Sequence, residues 1–164
     1  MLPVYETRLF HHSVCPVPPG MEDRTILDSQ ISASSVFAGN YAAQQARLHF
    51  KAGGGKTGGW SAQTNDDNQW LQVDLQQTTR ITRIATQGRN GYTPGQWVTQ
   101  YKLQYGEDVH TFKFYRNGDH SYTVWFNSFW SGFSFDVAPH LSIFLFLDVS
   151  NTAFIMSEIG KKQM

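Results

Sequence analysis

The alternation over residues 70–75 constrains this chain more than any other feature. Leu71, Val73 and Leu75 fall on one side while Gln72 and Asp74 fall on the other, the period of two required of a strand with one buried face. Two further segments, 81–86 and 101–105, are rich in strand formers, and the second puts Tyr101, Leu103 and Tyr105 on one face. Residues 112–115 continue the pattern, and Asn117-Gly118 is a hairpin-type turn pair. No heptad or tandem repeat interrupts it, so the expectation is an all-β chain. Its 164 residues suit one domain with one core.

Charge narrows the possible functions. Lys+Arg 13 balances Asp+Glu 13, which removes the sequence-independent attraction of a basic chain for phosphate backbones or anionic membranes. No nucleic-acid partner is expected. Charged residues make up only 16% and aromatics 15%, a composition too aromatic for a disordered chain and suited to a compact β module with exposed rings.

The residues that could carry chemistry read as ordinary structure. Six histidines show no H-x-x-x-H spacing, so neither metal nor cofactor is expected. Asp66-Asp67 would point to opposite sides of an extended chain, and flanking Asn65 and Asn68 suit a turn. The glycine-rich stretch 53–59 lacks the G-x-x-x-x-G-K-[ST] order of a phosphate loop and reads as a flexible connection. Cys15 is the single cysteine and sits among prolines; without a partner in the chain it is expected to be an orphan disulfide half rather than a nucleophile. No enzymatic activity is expected.

The first residues have a proline and a glutamate where a secretory leader would be basic and then apolar, so no signal peptide is visible. The longest apolar run, 141–147, is well short of the ~20 residues of a membrane span and is closed by Asp148. It reads as a buried strand.

Two loops carry rings that a polar connection does not need. The first, 36–41, places Phe37 and Tyr41 around Gly39-Asn40; the second, 87–97, contains turn pairs Asn90-Gly91 and Pro94-Gly95 together with Tyr92 and Trp97. Phe37, Asn40, Tyr41, Arg89, Tyr92 and Trp97 are therefore the candidate ligand-binding residues, since a ring buries area against a sugar face or a lipid interface at little entropic cost. Two roles stay open. Trp97 either belongs to the loop or begins the next strand and packs inward, and Arg89 either pairs with a ligand anion or serves as a structural charge. Residues 42–48 between the loops suit one or two helical turns.

Several blocks taken in order carry a resemblance. They are Cys15-Pro16-Val17-Pro18-Pro19-Gly20-Met21-Glu22, Ile31-Ser32-Ala33-Ser34-Ser35, Ala46-Arg47-Leu48, Gly59-Trp60-Ser61-Ala62, the run from Asn65 to Leu75, Ala85-Thr86-Gln87-Gly88-Arg89 and the run from Trp97 to Tyr105. Together they resemble a discoidin domain, the coagulation factor 5/8 type C domain. The resemblance implies a galactose-binding-like jelly-roll β-sandwich, extracellular and non-catalytic, used in cell adhesion. It implies loops at one end that bind a cell-surface or matrix glycan, an anionic phospholipid or a protein receptor. The protruding loops of that family correspond to residues 36–41 and 90–96, which coincide with the two aromatic loops.

The resemblance fades near residue 120. Beyond it the sequence shows no Arg-Tyr-Ile-Arg-like closing segment and no second cysteine to pair with Cys15. The expected organisation is an N-terminal extension over 1–14, a partial discoidin domain over 15–120, and a divergent aromatic-rich tail over 121–164, the sandwich being incomplete at its C-terminal end. Such a chain is expected to be a truncated or alternatively spliced product, or a reading frame that runs into non-domain sequence. The alternatives to a binding module are a fragment without independent binding function and a carbohydrate-binding appendage of a larger enzyme.

Overall fold

A computed structural model describes residues 20–79, 81–91, 96–98, 100–108, 111–116, 123–125, 130–134, 140–148 and 155–161. The N-terminal extension, Cys15 and Tyr92 lie outside the described residues. Nine strands are described: β1 (Ile31–Ala33), β2 (Gln69–Thr79), β3 (Ile81–Gln87), β4 (Gln100–Gly106), β5 (Lys113–Phe114), β6 (Thr123–Trp125), β7 (Trp130–Ser134), β8 (His140–Asp148) and β9 (Ile155–Lys161). One sheet runs β1-β2-β8-β4-β5, with β6 also on β4, and the other runs β7-β3-β9. Every pairing is antiparallel.

The period-2 segment is the centre of this arrangement. Leu71 and Val73 are fully buried and Leu75 nearly so, and they share a core with Ile81 and Ile84 of the second sheet and Tyr101 and Leu103 of β4. Side chains from both sheets in a single core make the molecule a β-sandwich. Chain passes from one sheet to the other where β2 ends: the β2–β8 register shifts between Asp74 and Thr79, and Gln76 sits at φ 57. A bulge of this kind bends a strand so that its continuation, β3, can join the facing sheet.

Short-range sequence signals missed β1 and three strands of the tail. Residues 31–33 carry no period-2 signal of their own, yet they form β1, with Ile31 opposite Val73 and Ala33 opposite Leu71; ladder bonds to the edge of β2 outweigh a weak intrinsic preference. The tail over 121–164, expected to be divergent and aromatic-rich with one strand at 141–147, contributes β6 to β9. The apolar run at 141–147 is β8, a strand as expected, and it has β2 on one side and β4 on the other. An interior strand needs no alternation, so a near-continuous apolar run gives no period to read.

The entry segment is fastened to the sandwich by one guanidinium. Arg47, with its side chain only 3% exposed, donates from Nη1 to Met21 O at 3.0 Å and from Nη2 to Ile26 O at 2.8 Å, and it pairs with Asp28 Oδ1. These carbonyls belong to a segment without regular ladder partners, so the arginine satisfies groups that would otherwise be buried unpaired. Gly20 makes the turn possible at φ 83, where a Cβ would stand 2.6 Å from Ile26 N.

A second polar network fixes the start of β2. Gln69 Oε1 accepts from the hydroxyls of Ser34 and Ser35, and Gln69 Nε2 donates to Thr64 Oγ1 and Asp66 Oδ1. Asp66 Oδ1 also accepts from Asn68 N at 2.9 Å, so this carboxylate builds the turn expected at 65–68. Gln69 first, then the Asn68 amide and the Thr64 hydroxyl, hold the Asp66 carboxyl below its ordinary value of 3.8.

Two outcomes follow for stability. Arg47→Met should lower the free energy of unfolding by about 3 kcal/mol or more, at roughly 1.5–3 kcal/mol per hydrogen bond to a charged group. Asp28→Asn, at a carboxylate 56% exposed, should cost under about 1 kcal/mol; urea titration of both variants reads the difference. A folded-state pKa below the unfolded one gives a contribution present above pH 3.8 and lost as pH falls through the lower folded value. Gln69→Met should therefore move the Asp66 carboxyl titration, followed by carbon NMR, upward towards 3.8.

Candidate functional site

Antiparallel order decides which loops meet. β1 and β3 end, and β2 and β4 begin, at the same end of the sandwich, because Ala33 lies opposite Leu71 and the 88–99 connection links β3 to β4. The loop after β1, the loop before β2 and the loop after β3 are thus gathered at one pole. Of the candidate residues, Phe37, Asn40, Tyr41, Arg89 and Trp97 lie in described parts of this pole.

Phe37 is 60% exposed, the most exposed large apolar side chain among the described residues. Its ring meets that of Tyr41 edge-on, centroids 5.3 Å apart at 78°, the T-shaped geometry that the ring quadrupoles favour. A short 3-10 turn, Gly39–Tyr41, brings the two rings together, and the backbone is held by Phe37 N donating to Ser61 O at 2.9 Å and Tyr41 N to Ala38 O at 2.8 Å. Asn40 is exposed beside them.

Arg89 reaches this pair from the second loop. Its guanidinium carbon lies 5.1 Å from the centre of the Tyr41 ring, within cation–π range. Nε donates to Thr57 O at 2.8 Å and Nη1 to Gln96 Oε1 at 3.0 Å. Of the two roles left open for Arg89, these contacts describe a strut: the side chain ties Tyr41, residue 57 and the far arm of its own loop together. Trp97 is half-buried and precedes β4 without belonging to it.

The glycine-rich stretch 53–59, which reads from the sequence as a flexible connection, belongs to a segment that holds the two aromatic loops in place. Gly53 and Lys56 exchange both backbone hydrogen bonds at 3.0 Å, with Gly54 and Gly55 at φ 58 and 78 between them. That is a two-residue hairpin turn with both central residues left-handed. Gly-Gly between residues able to pair was the available signal. Beyond the turn, Thr57 Oγ1 donates to Asn40 O at 2.8 Å, Asn90 N donates to Gly58 O at 3.2 Å, and Asn90 Nδ2 donates to Phe50 O at 2.9 Å. The strap at 57–58 therefore bonds to the first loop on one side and to the second on the other.

The F5/8 type C domain profile matches residues 30–138. The chain belongs to the F5/8 type C domain family. Coagulation factor VIII of Mus musculus is 42% identical over 99 residues, covering 58% of this chain and 4% of that protein. This chain thus corresponds to a small part of that relative's length. Discoidin II of Dictyostelium discoideum superposes with a TM-score of 0.70 at 19% identity, over 82% of this chain and 55% of that one. A fucose-binding module of Streptococcus pneumoniae, SpX-3, gives 0.57 at 13% identity over 82% of this chain and 93% of that one. The F5/8 type C chain therefore has the galactose-binding-like sandwich fold implied by its sequence, and its family is one of non-catalytic binding modules.

Among the described residues, no three His, Cys, Asp or Glu side chains gather as a metal site, and no helix is long and apolar enough to cross a membrane. His49 Nδ1 lies 2.8 Å from Glu22.

Gly58 offers the sharpest test of the strap. At φ 80 a Cβ there would stand 2.5 Å from Asn90 O, whereas a Cβ on Gly54 would meet nothing within 4 Å. Gly54→Ala should cost only the left-handed backbone penalty, about 1 kcal/mol. Gly58→Ala should cost clearly more and should shift the amide resonances of residues 89–91; equal losses in urea unfolding would contradict the strap.

Proposed function

We propose that this F5/8 type C domain is an extracellular, non-catalytic adhesion module that engages its ligand through the pole carrying Phe37, Asn40 and Tyr41, with Tyr92 and Trp97 on the neighbouring loop. The observation that carries this reading is the Phe37 ring, 60% exposed yet held edge-on against Tyr41, which is itself backed by Arg89. A ring already held in place by its neighbour loses little freedom on binding. Recognition proceeds by surface complementarity, without bond making or breaking.

An anionic phospholipid surface is the ligand class we favour. Phe37 would enter the boundary between headgroups and acyl chains, with Tyr41 and Asn40 at headgroup level, as amphipathic rings do at such boundaries. A glycan is the second reading, supported by the fold shared with the fucose-binding module SpX-3 and by the ability of paired rings to stack on a sugar face. A protein receptor is the third class open to a loop tip of this kind.

The test is binding of the Phe37→Ala/Tyr41→Ala double variant and the parent to phosphatidylserine vesicles and to a glycan array. Each buried ring contributes about 1.5–3 kcal/mol, so the double variant should bind at least roughly tenfold more weakly to whichever surface the parent prefers. Binding of the double variant as tight as the parent's on both surfaces would dispose of the loop-tip role.

A further inference from the structure

A cavity of about 350 Å³, broadly open to solvent, lies between the entry segment and the hairpin that follows Arg47, lined among others by Glu22, Arg24, His49, Phe50, Lys51 and Lys56. Its charge is out of character with the chain. Arg24, Lys51 and Lys56 contribute three cations against the one carboxylate of Glu22, in a protein whose charges balance 13 to 13 as a whole. Arg47 also lines the cavity, but its guanidinium is committed to Asp28 and to backbone carbonyls. Among the described residues neither Arg24 nor Lys51 forms an ion pair, and both are exposed. Lys56 is steadied by its place 5.5 Å above the Phe50 ring and by the closed turn that it shares with Gly53.

The backbone at this cavity is also unusual. Arg24 at φ 66 and His49 at φ 56 are two of the three described non-glycine residues in the left-handed region, and both line the cavity. Such conformations are disfavoured for residues with a Cβ and concentrate at functional positions.

We infer that this cavity is a second binding site, for a sugar unit bearing a sulfate or phosphate ester. The three cations supply the fork and point charges that hold an ester oxyanion. Glu22, in contact with His49 Nδ1 at 2.8 Å, adds carboxylate oxygens that accept from hydroxyl groups. Inorganic phosphate has no sugar hydroxyls to present to them, and an unsubstituted sugar offers the cations only neutral acceptors and no charge. The volume is that of a small-ligand pocket. This inference does not rest on the loop-tip reading, which uses different residues.

Titration calorimetry and amide NMR on the full chain test it with four probes: glucose 6-phosphate, a 6-O-sulfated disaccharide, the same disaccharide without sulfate, and inorganic phosphate. At least one ester sugar should bind, shifting the amides of Arg24, His49 and Lys51 and weakening as salt is added. The unsubstituted disaccharide should leave those three amides unshifted, and inorganic phosphate should bind there at least tenfold more weakly than the ester sugar. Binding of the sulfated disaccharide alone points to a polysaccharide source, and binding of glucose 6-phosphate alone to a small metabolite; either supports the site.

Arg24→Asn, which tolerates the left-handed backbone, combined with Lys51→Ala should reduce ester-sugar affinity at least tenfold with an unchanged melting temperature. Phe37→Ala/Tyr41→Ala should leave that affinity intact. The inference is overturned if neither ester sugar binds, if the unsubstituted sugar or phosphate shifts the Arg24, His49 and Lys51 amides with equal affinity, or if the Arg24/Lys51 variant keeps the parent's affinity.

Discussion

Thr57 and Gly58 are the point on which the binding pole depends. Loops at the end of a sandwich leave backbone groups outside both sheets, and those groups need partners if the loops are to keep one shape. Here residues 57 and 58 supply them in both directions: the Thr57 hydroxyl and amide donate to Asn40 O, while Gly58 O accepts from Asn90 and Thr57 O accepts from Arg89. Only a residue without a Cβ allows the approach at position 58, where Asn90 O would lie 2.5 Å from that carbon. The strap converts two adjacent loops into one surface.

That surface presents its rings in a graded way. Phe37 stands outermost, Tyr41 meets it edge-on, and Arg89 lies over Tyr41 while bonding to Thr57 and Gln96. The arginine thus acts mainly behind the surface, setting the ring that sets the tip. Preorganisation of this kind reduces the ordering cost of binding, and it links a substitution at Arg89 to ligand affinity without requiring that Arg89 touch the ligand.

Much of this was legible in the sequence, for reasons that can be stated residue by residue. Leu71, Val73 and Leu75 alternate with polar neighbours because β2 has one face on the core, and the two loops stood out because Phe37 and Tyr41 have no place in an ordinary polar connection. The family resemblance, read from blocks between residues 15 and 105, agrees with the profile match at 30–138. What escaped was set by contacts distant in sequence. β1 exists through pairing with β2, β8 sits between two strands and so shows no period, and the strap owes its role to bonds with residues 17 and 32 positions away. The glycines at 53–55 carried a turn signal that their composition disguised as flexibility.

Backbone amide hydrogen exchange, with and without phosphatidylserine vesicles or the best-bound glycan, tests the central claim most directly. The account predicts that ligand slows exchange at residues 37–41 and 89–91, at the pole joined by the strap, and leaves the β4–β5 hairpin near residues 106–113 unchanged. Protection confined to that opposite hairpin, with the aromatic loops exchanging as fast as in the free protein, would contradict it.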